Sequence, residues 1–327
     1  MTSISSCLGL TSDVSKVSKP VTFEALLADI NNAKALGLDF VPLGVTSNVI
    51  LPPTMQAWVC FYQADQVNIT ANDDYTVILE VEAGKDWPTL VEECAAQGLW
   101  GIENLAAIPG TVGAAPIQNI GAYGVELADV FVSCQAVNSK TLEVAEFAKA
   151  DCAFAYRDSY FKQTPDPWVI TKVRLALSKK GKAKLEYGPL KSHIKDNATP
   201  TEIVKQITEL RWSKLPNPNT IPNTGSFFHN PVVTTSKYEQ LKLTFPDLVA
   251  YPLANGSYKL AAGWLIDQAG LKGKAGDGGV CMHQSQALVL TNPQKASKDL
   301  VLAHARYVQD VVLQRYGVTL QIEPIQL

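Results

Sequence analysis

Histidine, paired cysteine, net basic charge and long apolar runs are all scarce in this chain, and each scarcity removes a class of function. Four histidines occur in 327 residues (His193, His229, His283 and His304), no two of them at metal-ligand spacing. The six cysteines (Cys7, Cys60, Cys94, Cys134, Cys152 and Cys281) are scattered with no Cys-x-x-Cys. That pattern argues against zinc or a redox pair and leaves reduced, mostly buried thiols as the expectation, with no bound metal. Lys and Arg number 28 against 31 Asp and Glu, a net charge of −3, so the chain offers no basic field to nucleic acid. No apolar run approaches the roughly 20 residues needed to span a bilayer. The opening Met1-Thr-Ser-Ile-Ser-Ser-Cys7 has neither the basic flank nor the long apolar core of a signal peptide, so a cytoplasmic location without membrane insertion is expected. Internal repeats and low-complexity segments are missing too, as is a Gly-x-Gly-x-x-Gly leading from a strand into a helix, the Rossmann fingerprint.

What is present is an ordinary globular composition, 46% hydrophobic and 18% charged, over a length that can build two or three domains with proper cores. The most informative stretch is residues 101–127, with five glycines, two prolines and two charges. It has neither helical nor strand periodicity, and it is too poor in charge to be a solvated linker. It reads as ordered backbone laid against a ligand, because glycine lets main-chain N–H groups approach an anion closely. A buried glycine-rich turn with no ligand is the competing reading.

Elements can be placed around it. Residues 22–36 predict a helix with Thr22 at the cap, Phe23, Leu26, Leu27 and Ile30 on one face, and Gly37 beyond its end. Phe40 to Leu51 predicts strand, tight turn, strand, and Tyr75 to Val81 another strand. Trp87, Leu90, Val91 and Cys94 recur at helical spacing before Gly98. Strands are expected at Val130–Val137 and Trp168–Leu177. A second unit is expected to open with a helix at a Thr199/Glu202 capping box with Pro200 in first position, buried through Ile203, Ile207 and Leu210. A loop rich in proline and asparagine follows over 214–225, then a helix from a Ser236/Glu239 box. The long amphipathic helix 297–316 is stopped by Gly317, and Val318 to Glu323 alternates as a strand with Val318, Leu320 and Ile322 on the core face.

Ile108-Pro-Gly-Thr-Val-Gly113 with Pro116-Ile-Gln-Asn-Ile-Gly-Ala-Tyr-Gly124 resembles the flavin-binding signature of the UDP-N-acetylenolpyruvoylglucosamine reductase (MurB) family. Tyr156-Arg-Asp-Ser159, Gly225-Ser-Phe-Phe228 with Asn230-Pro231, and Lys259-Leu-Ala-Ala-Gly-Trp-Leu-Ile-Asp-Gln268 resemble its other blocks, in the family's order and over nearly the whole chain. The resemblance implies an α+β protein: an FAD-binding domain of the PCMH or vanillyl-alcohol-oxidase type over 1–198, with subdomains near 1–68 and 69–198, then a smaller α+β substrate-binding domain over 199–327. It implies a monomer that uses NADPH and FAD to reduce the enolpyruvyl ether of a UDP-sugar to UDP-N-acetylmuramate for peptidoglycan synthesis. Because related oxidases tether flavin through a histidine in the N-terminal half, and the first histidine here is His193, FAD is expected to be held non-covalently. A flavin oxidase or dehydrogenase of the same fold, and an inactive flavin- or nucleotide-binding protein, remain as alternatives.

The same resemblance assigns residues. Gly44-Val45-Thr46-Ser47-Asn48 is similar to the family's pyrophosphate loop, with Thr46 where a second glycine is usual, a departure that matters if the position needs φ > 0. Further cofactor contacts are implied for Pro109, Gly110, Thr111, Gly113, Ala114, Gln118, Asn119, Gly121, Ala122 and Tyr123. Arg157 takes the position that polarises the enolpyruvyl carboxylate; read without the family, it is as easily a structural ion pair with Asp158 or a distant acid. Ser226 takes that of the proton donor. Glu323 lies six residues past Gly317, where the family carries its catalytic glutamate, whereas pinning on the proline of Ile322-Glu-Pro-Ile325 would put Ile325 there. Tyr187 matches the substrate-gating tyrosine of one family branch, and Lys214, Asn230, Lys272 and Gln286 its contacts to the nucleotide sugar. His229 stands in place of the usual lysine.

Overall fold

The computed structural model describes residues 2–188 and 190–327; Pro189, within the Tyr187 motif, lies outside them. The chain forms two compact units. One comprises residues 14–45 and 55–213 together with Thr2; the other comprises 3–13, 46–54 and 214–327. This division differs from the continuous 1–198 and 199–327 expected. The Thr199/Glu202 capping box is present, with the Thr199 N–H donating to Glu202 Oε2 at 2.7 Å and the Glu202 N–H to Thr199 Oγ1 at 3.3 Å. The helix it starts, Pro200–Lys214, nevertheless buries Ile203, Val204 and Ile207 in the core of the first unit. A cap marks where a helix begins and carries no information about which core the helix joins.

The first unit is built on an antiparallel five-stranded sheet in the order Val144–Ala148, Phe131–Asn138, Trp168–Ser178, Thr76–Glu82, Val67–Asn72. Alternation along Thr76–Glu82 puts Val77, Leu79 and Val81 in the core. The helix Trp87–Ala96 is capped by Asp86, whose carboxylate accepts the Thr89 N–H at 3.0 Å, and it buries Trp87, Leu90, Val91 and Cys94 on the same cluster. Trp87 Nε1 donates to the Leu105 carbonyl at 3.1 Å. This bond fixes the start of the glycine-rich stretch, whose Ile102, Leu105, Val112, Ile120, Val125 and Leu127 join that core. The stretch is a chain of short 3-10 turns and a two-residue hairpin, Gly121–Ala122 against Val125–Glu126. It is ordered backbone, as its composition predicts.

The helix Phe23–Ala35 follows its Thr22 cap and ends at Gly37, which has φ +65°. Leu26 and Ile30 pack with Cys60, Val137 and Val169 in a smaller cluster. Burial pushes the Cys60 and Cys94 thiols up to about 12, which makes both poor nucleophiles. The predicted strand, turn, strand over 40–51 is not a hairpin. Asp39–Pro42 runs parallel to the chain at 57–60, while Val49–Ile50 pairs in parallel with Ile325–Gln326.

In the second unit, strand Asn223–Ser226 pairs with Val289–Thr291, which pairs with Cys281–Met282; Val232–Val233, Tyr258–Leu260 and Ala250–Pro252 form another small sheet. The helix Thr235–Thr244 starts from Thr234, whose hydroxyl accepts the Lys237 N–H at 3.3 Å, and not from the expected Ser236 box. Adjacent hydroxyls make either site a plausible cap in sequence, and the extended backbone at Thr234 decides between them. The helix Lys298–Tyr316 runs from Ser297 to a left-handed Gly317 as predicted. Val318 and Leu320 are buried beyond it, yet the predicted strand over 318–323 reduces to a single bridge, Ile322 to Phe228, before Ile325–Gln326. Among the described residues no helix is long and apolar enough to cross a membrane.

Candidate active site

In the first unit, two segments expected to hold the cofactor line one cavity of about 100 Å³: Gly44 from the loop at 44–48, and Thr111, Gly113, Ala114 and Ile117 from the glycine-rich stretch. Tyr62, Trp168 and Ile170 supply apolar walls. A Cβ at Gly44 would lie 3.1 Å from Thr111 Oγ1, so that glycine lets the loop backbone approach the Thr111 side chain. Gly113 has a different reason. A Cβ there would come 2.5 Å from Ala83 Cβ, and its N–H donates to Ala83 O at 2.9 Å, so its task is close packing on the sheet. Gly110 faces open space.

A second cluster forms where residues 119–124 meet the turn 155–158. Asn119, Tyr123 and Arg157 all have positive φ, at 44°, 49° and 55°, which costs non-glycine residues on the order of 1–3 kcal/mol each and gathers at functional sites. Asn119 is fully buried, and its side chain binds Glu126, the Ala155 carbonyl and the Ala128 N–H, so it braces the site by joining the two segments. Arg157 donates from Nη2 to the Gly121 carbonyl and lies over the Tyr156 ring. Asp158, the ion-pair partner that sequence suggests, instead accepts from the Ser159 N–H and Gln163. Tyr187 packs its Cβ on Gly124, and buried Asn104 ties the Tyr123 carbonyl to that of Lys184, at 3.0 and 2.8 Å.

Two members of this cluster escaped the sequence reading. Asn104 is one. The other is Arg211, in the last turn of the helix Pro200–Lys214. Its Nε is buried with no hydrogen-bond partner among the described residues, and burial holds its guanidinium below the usual range, with Arg157 adding like-charge repulsion. Two cations close enough to repel each other call for an anion. The sequence signal was weak, since an arginine near the end of a helix ordinarily serves the helix dipole.

Gly121 has its own consequence. A Cβ there would lie 2.8 Å from Arg157 Nη1 and 3.0 Å from Glu126 Cγ. Gly121→Ala is therefore expected to displace the guanidinium at a cost of about 1–3 kcal/mol. Steady-state assay should show KM for a carboxylate substrate raised by roughly tenfold or more, with retention of bound cofactor measured on the same preparation.

In the second unit, the remaining loop residues and the expected acid and carboxylate are hydrogen-bonded neighbours. Thr46 has φ +57°, the conformation that explains why glycine is usual there. The carbonyl of Asn48 accepts the Ile325 N–H at 3.0 Å. Two residues earlier the Glu323 N–H donates to the Phe227 carbonyl at 2.9 Å, and the His229 N–H donates to Gln321 O at 2.9 Å. The C-terminal segment thereby places Glu323 beside the residue that follows Ser226, while Ile325 serves strand pairing. Ser226 is exposed, at the end of its strand and next to the fully buried, edge-to-face pair Phe227 and Phe228. Gly225, at φ +70°, turns the chain just before it. Asn230 Oδ1 accepts the Ala262 N–H at 2.9 Å, and Gln286 Oε1 lies close to Gly263, so both gather at the start of the helix Ala262–Gln268. Lys272 is ion-paired with Asp267 at 2.6 Å, half exposed, and Lys214 ends the helix Pro200–Lys214.

Comparison with known proteins gives a family match over each of these two regions of the chain. Residues 15–144 match the FAD binding domain family, and residues 217–327 match the family described as UDP-N-acetylenolpyruvoylglucosamine reductase, C-terminal domain. The chain is thus an FAD-binding protein of α+β fold with a smaller C-terminal domain. It is 45% identical over 305 residues to the UDP-N-acetylenolpyruvoylglucosamine reductase of Pseudomonas aeruginosa, covering 91% of this chain and 90% of that one. Against the reductase of Pseudomonas syringae pv. tomato it is 46% identical over 287 residues, 86% and 84% of the two chains. The crystal structure of the reductase from Thermus caldophilus superposes with a TM-score of 0.67 at 21% identity, covering 99% and 98%. The chain belongs to the UDP-N-acetylenolpyruvoylglucosamine reductase family.

Proposed function

We propose that this chain catalyses the NADPH-dependent reduction of UDP-N-acetyl-3-O-(1-carboxyvinyl)-glucosamine to UDP-N-acetylmuramate with non-covalent FAD, as a cytoplasmic monomer making peptidoglycan precursor. The residues present fit FAD: the bare backbones of Gly44 and Gly110, and the cavity that Gly44 shares with Thr111 and Ala114, suit a planar, polyanionic group. FAD supplies the chemistry of hydride transfer from NADPH to the vinyl carbon. The protein supplies the rest. Arg157, preset by its left-handed backbone and the Gly121 carbonyl, receives the substrate carboxylate, into which negative charge spreads as the double bond is reduced. Ser226 gives its hydroxyl proton to the carbon that bears the carboxylate, and Glu323 works at the same reacting group. Lys214, Lys272, Asn230 and Gln286 hold the nucleotide sugar, Lys272 on exchanging its bond to Asp267 for one to a phosphate.

The observation that carries this reading is the Glu323 to Phe227 hydrogen bond, which holds a hydroxyl and a carboxylate on adjoining segments. An oxidase has no need of such a proton donor. The deciding experiment is a coupled assay in which purified, FAD-loaded protein oxidises NADPH only when the enolpyruvyl sugar is added. NADPH oxidation that ignores the sugar, or a protein that takes up no FAD, overturns the proposal.

Tyr187 can be tested separately. Tyr187→Phe is expected to raise KM for the nucleotide sugar by the worth of a hydrogen bond to a charged group, about 1.5–3 kcal/mol. The NADPH half-reaction should keep its rate in rapid mixing. Unchanged kinetics would return Tyr187 to a packing role on Gly124.

A further inference from the structure

The segment Ser5–Leu10 is far in sequence from every residue assigned above, yet it is bonded to both chemical ends of the second unit. On one side it holds the loop at 44–48. The hydroxyl of Thr46 donates to the Ser5 carbonyl at 3.1 Å, and the Cys7 N–H donates to the Thr46 carbonyl at 3.3 Å. A β-branched residue at φ +57° would otherwise relax toward an ordinary conformation. On the other side the segment holds the serine strand. The Cys7 carbonyl accepts the N–H of Asn223, first residue of the strand that ends at Ser226, at 2.8 Å. The same peptide neighbourhood is buttressed where Asn292 Nδ2 donates to the Leu8 carbonyl at 3.1 Å, and where Gly9, at φ +77°, lets the chain close on Pro222. Leu8 and Leu10 are buried, so the segment is anchored by packing as well.

We propose that residues 5–9 are a positioning element: through the backbone of Cys7 they couple occupancy of the cofactor loop to the placement of the strand carrying Ser226. The inference rests on the proposed function above. These residues are not among those assigned above to substrate or cofactor. They act by fixing Thr46 in the strained conformation that shapes the loop, and by fixing Asn223 at the root of the serine strand. A cofactor that rigidifies the loop at Ser47 and Asn48 therefore rigidifies the strand, since one residue, Cys7, bonds to both through its N–H and its carbonyl.

The test perturbs the segment at points outside the site. A Cβ at Gly9 would lie 3.1–3.2 Å from Pro222 and Lys295, so Gly9→Ala pushes the segment away from its seat. Asn292→Asp removes the donor shared by the Leu8 and Ala296 carbonyls with little change of shape, keeps the acceptor for the Ala296 N–H, and serves if Gly9→Ala does not fold. Hydrogen exchange by mass spectrometry in wild-type protein with and without FAD should show FAD slowing exchange at 223–226 as well as at 44–50. In the variants that coupling is expected to be lost, the Kd for FAD to rise about fivefold, and reoxidation by the enolpyruvyl sugar at saturating FAD to slow about tenfold, while the NADPH half-reaction keeps its rate. A merely structural segment would lower the melting temperature and slow both half-reactions alike. That result, or wild-type exchange at 223–226 indifferent to FAD, overturns the coupling. Failure of the underlying reading shows differently, in wild-type protein that binds no FAD or does not turn over the sugar.

Discussion

Ser226→Ala is expected to leave FAD binding and the NADPH half-reaction close to wild type while slowing reoxidation by the enolpyruvyl sugar by roughly 10²-fold or more, the usual worth of a positioned acid. A serine is a poor acid in water. It can protonate carbon only where the acceptor is strongly basic and the geometry is fixed, and the structure provides the fixing. The N–H of Gly225 is bound to Asn223 Oδ1 at 2.9 Å, Phe227 donates its N–H to Leu288 O at 2.9 Å, and both phenyl rings that follow are fully buried. The hydroxyl itself remains exposed at the end of this rigid run. Cysteine at the same position keeps a proton in the same place and should recover part of the rate. Rapid mixing of the two half-reactions checks the expectation. Equal slowing of both, or of neither, would make Ser226 a packing residue.

Much of this site was legible because the sequence departs from periodicity where backbone must do unusual things. Gly44 and Gly121 each mark a place where a Cβ would crowd a neighbouring side chain, Gly225 one where φ is positive, and all three lie within motifs flagged from composition and resemblance. The helices at 23–35, 87–96, 200–214 and 298–316 were legible from caps and spacing, which are local properties. Long-range pairing was not. Nothing local says that Val49–Ile50 pairs with Ile325–Gln326 in parallel, or that the first dozen residues belong with the C-terminal third. The alternation over 318–323 illustrates the same limit. Burial alternates from Val318 to Gln321 and then stops, Ile322 and Glu323 both being half-buried, and the segment meets residues 227–229 through a single bridge, Ile322 to Phe228, with one backbone bond on either side, too short a pairing for a ladder. Nor could sequence distinguish Gly113, which serves sheet packing, from neighbours available to a ligand, because a glycine required by Ala83 looks like any other. Asn119 was read as a cofactor contact and proves to spend its side chain joining the glycine-rich stretch to the Arg157 turn.

Arg211→Met is expected to make the protein more stable and much less active. Arg211 is half-buried, its enclosed Nε lacks a hydrogen-bond partner among the described residues, and its guanidinium loses hydration beside Arg157, with the Tyr123 phenol group as the favourable neighbour. Replacing buried charge by an apolar side chain of similar volume is often neutral or stabilising by about 1–4 kcal/mol. Methionine keeps a side chain of similar length and flexibility in the same space. The same substitution removes a positive charge that stands with Arg157 toward the carboxylate and toward whatever negative charge develops during reduction, in a partly desolvated place where such charge counts more than in water. A loss of roughly 10²-fold in kcat/KM corresponds to about 2.7 kcal/mol of differential stabilisation, within the range of a single preorganised group. Thermal unfolding of the apoprotein and steady-state kinetics on one preparation test both halves. A lower melting temperature would show that Arg211 is held by compensating contacts, and unchanged kinetics would show that its charge serves no anion. A rise in stability together with the fall in rate identifies Arg211 as a cation kept at the fold's expense for the reaction.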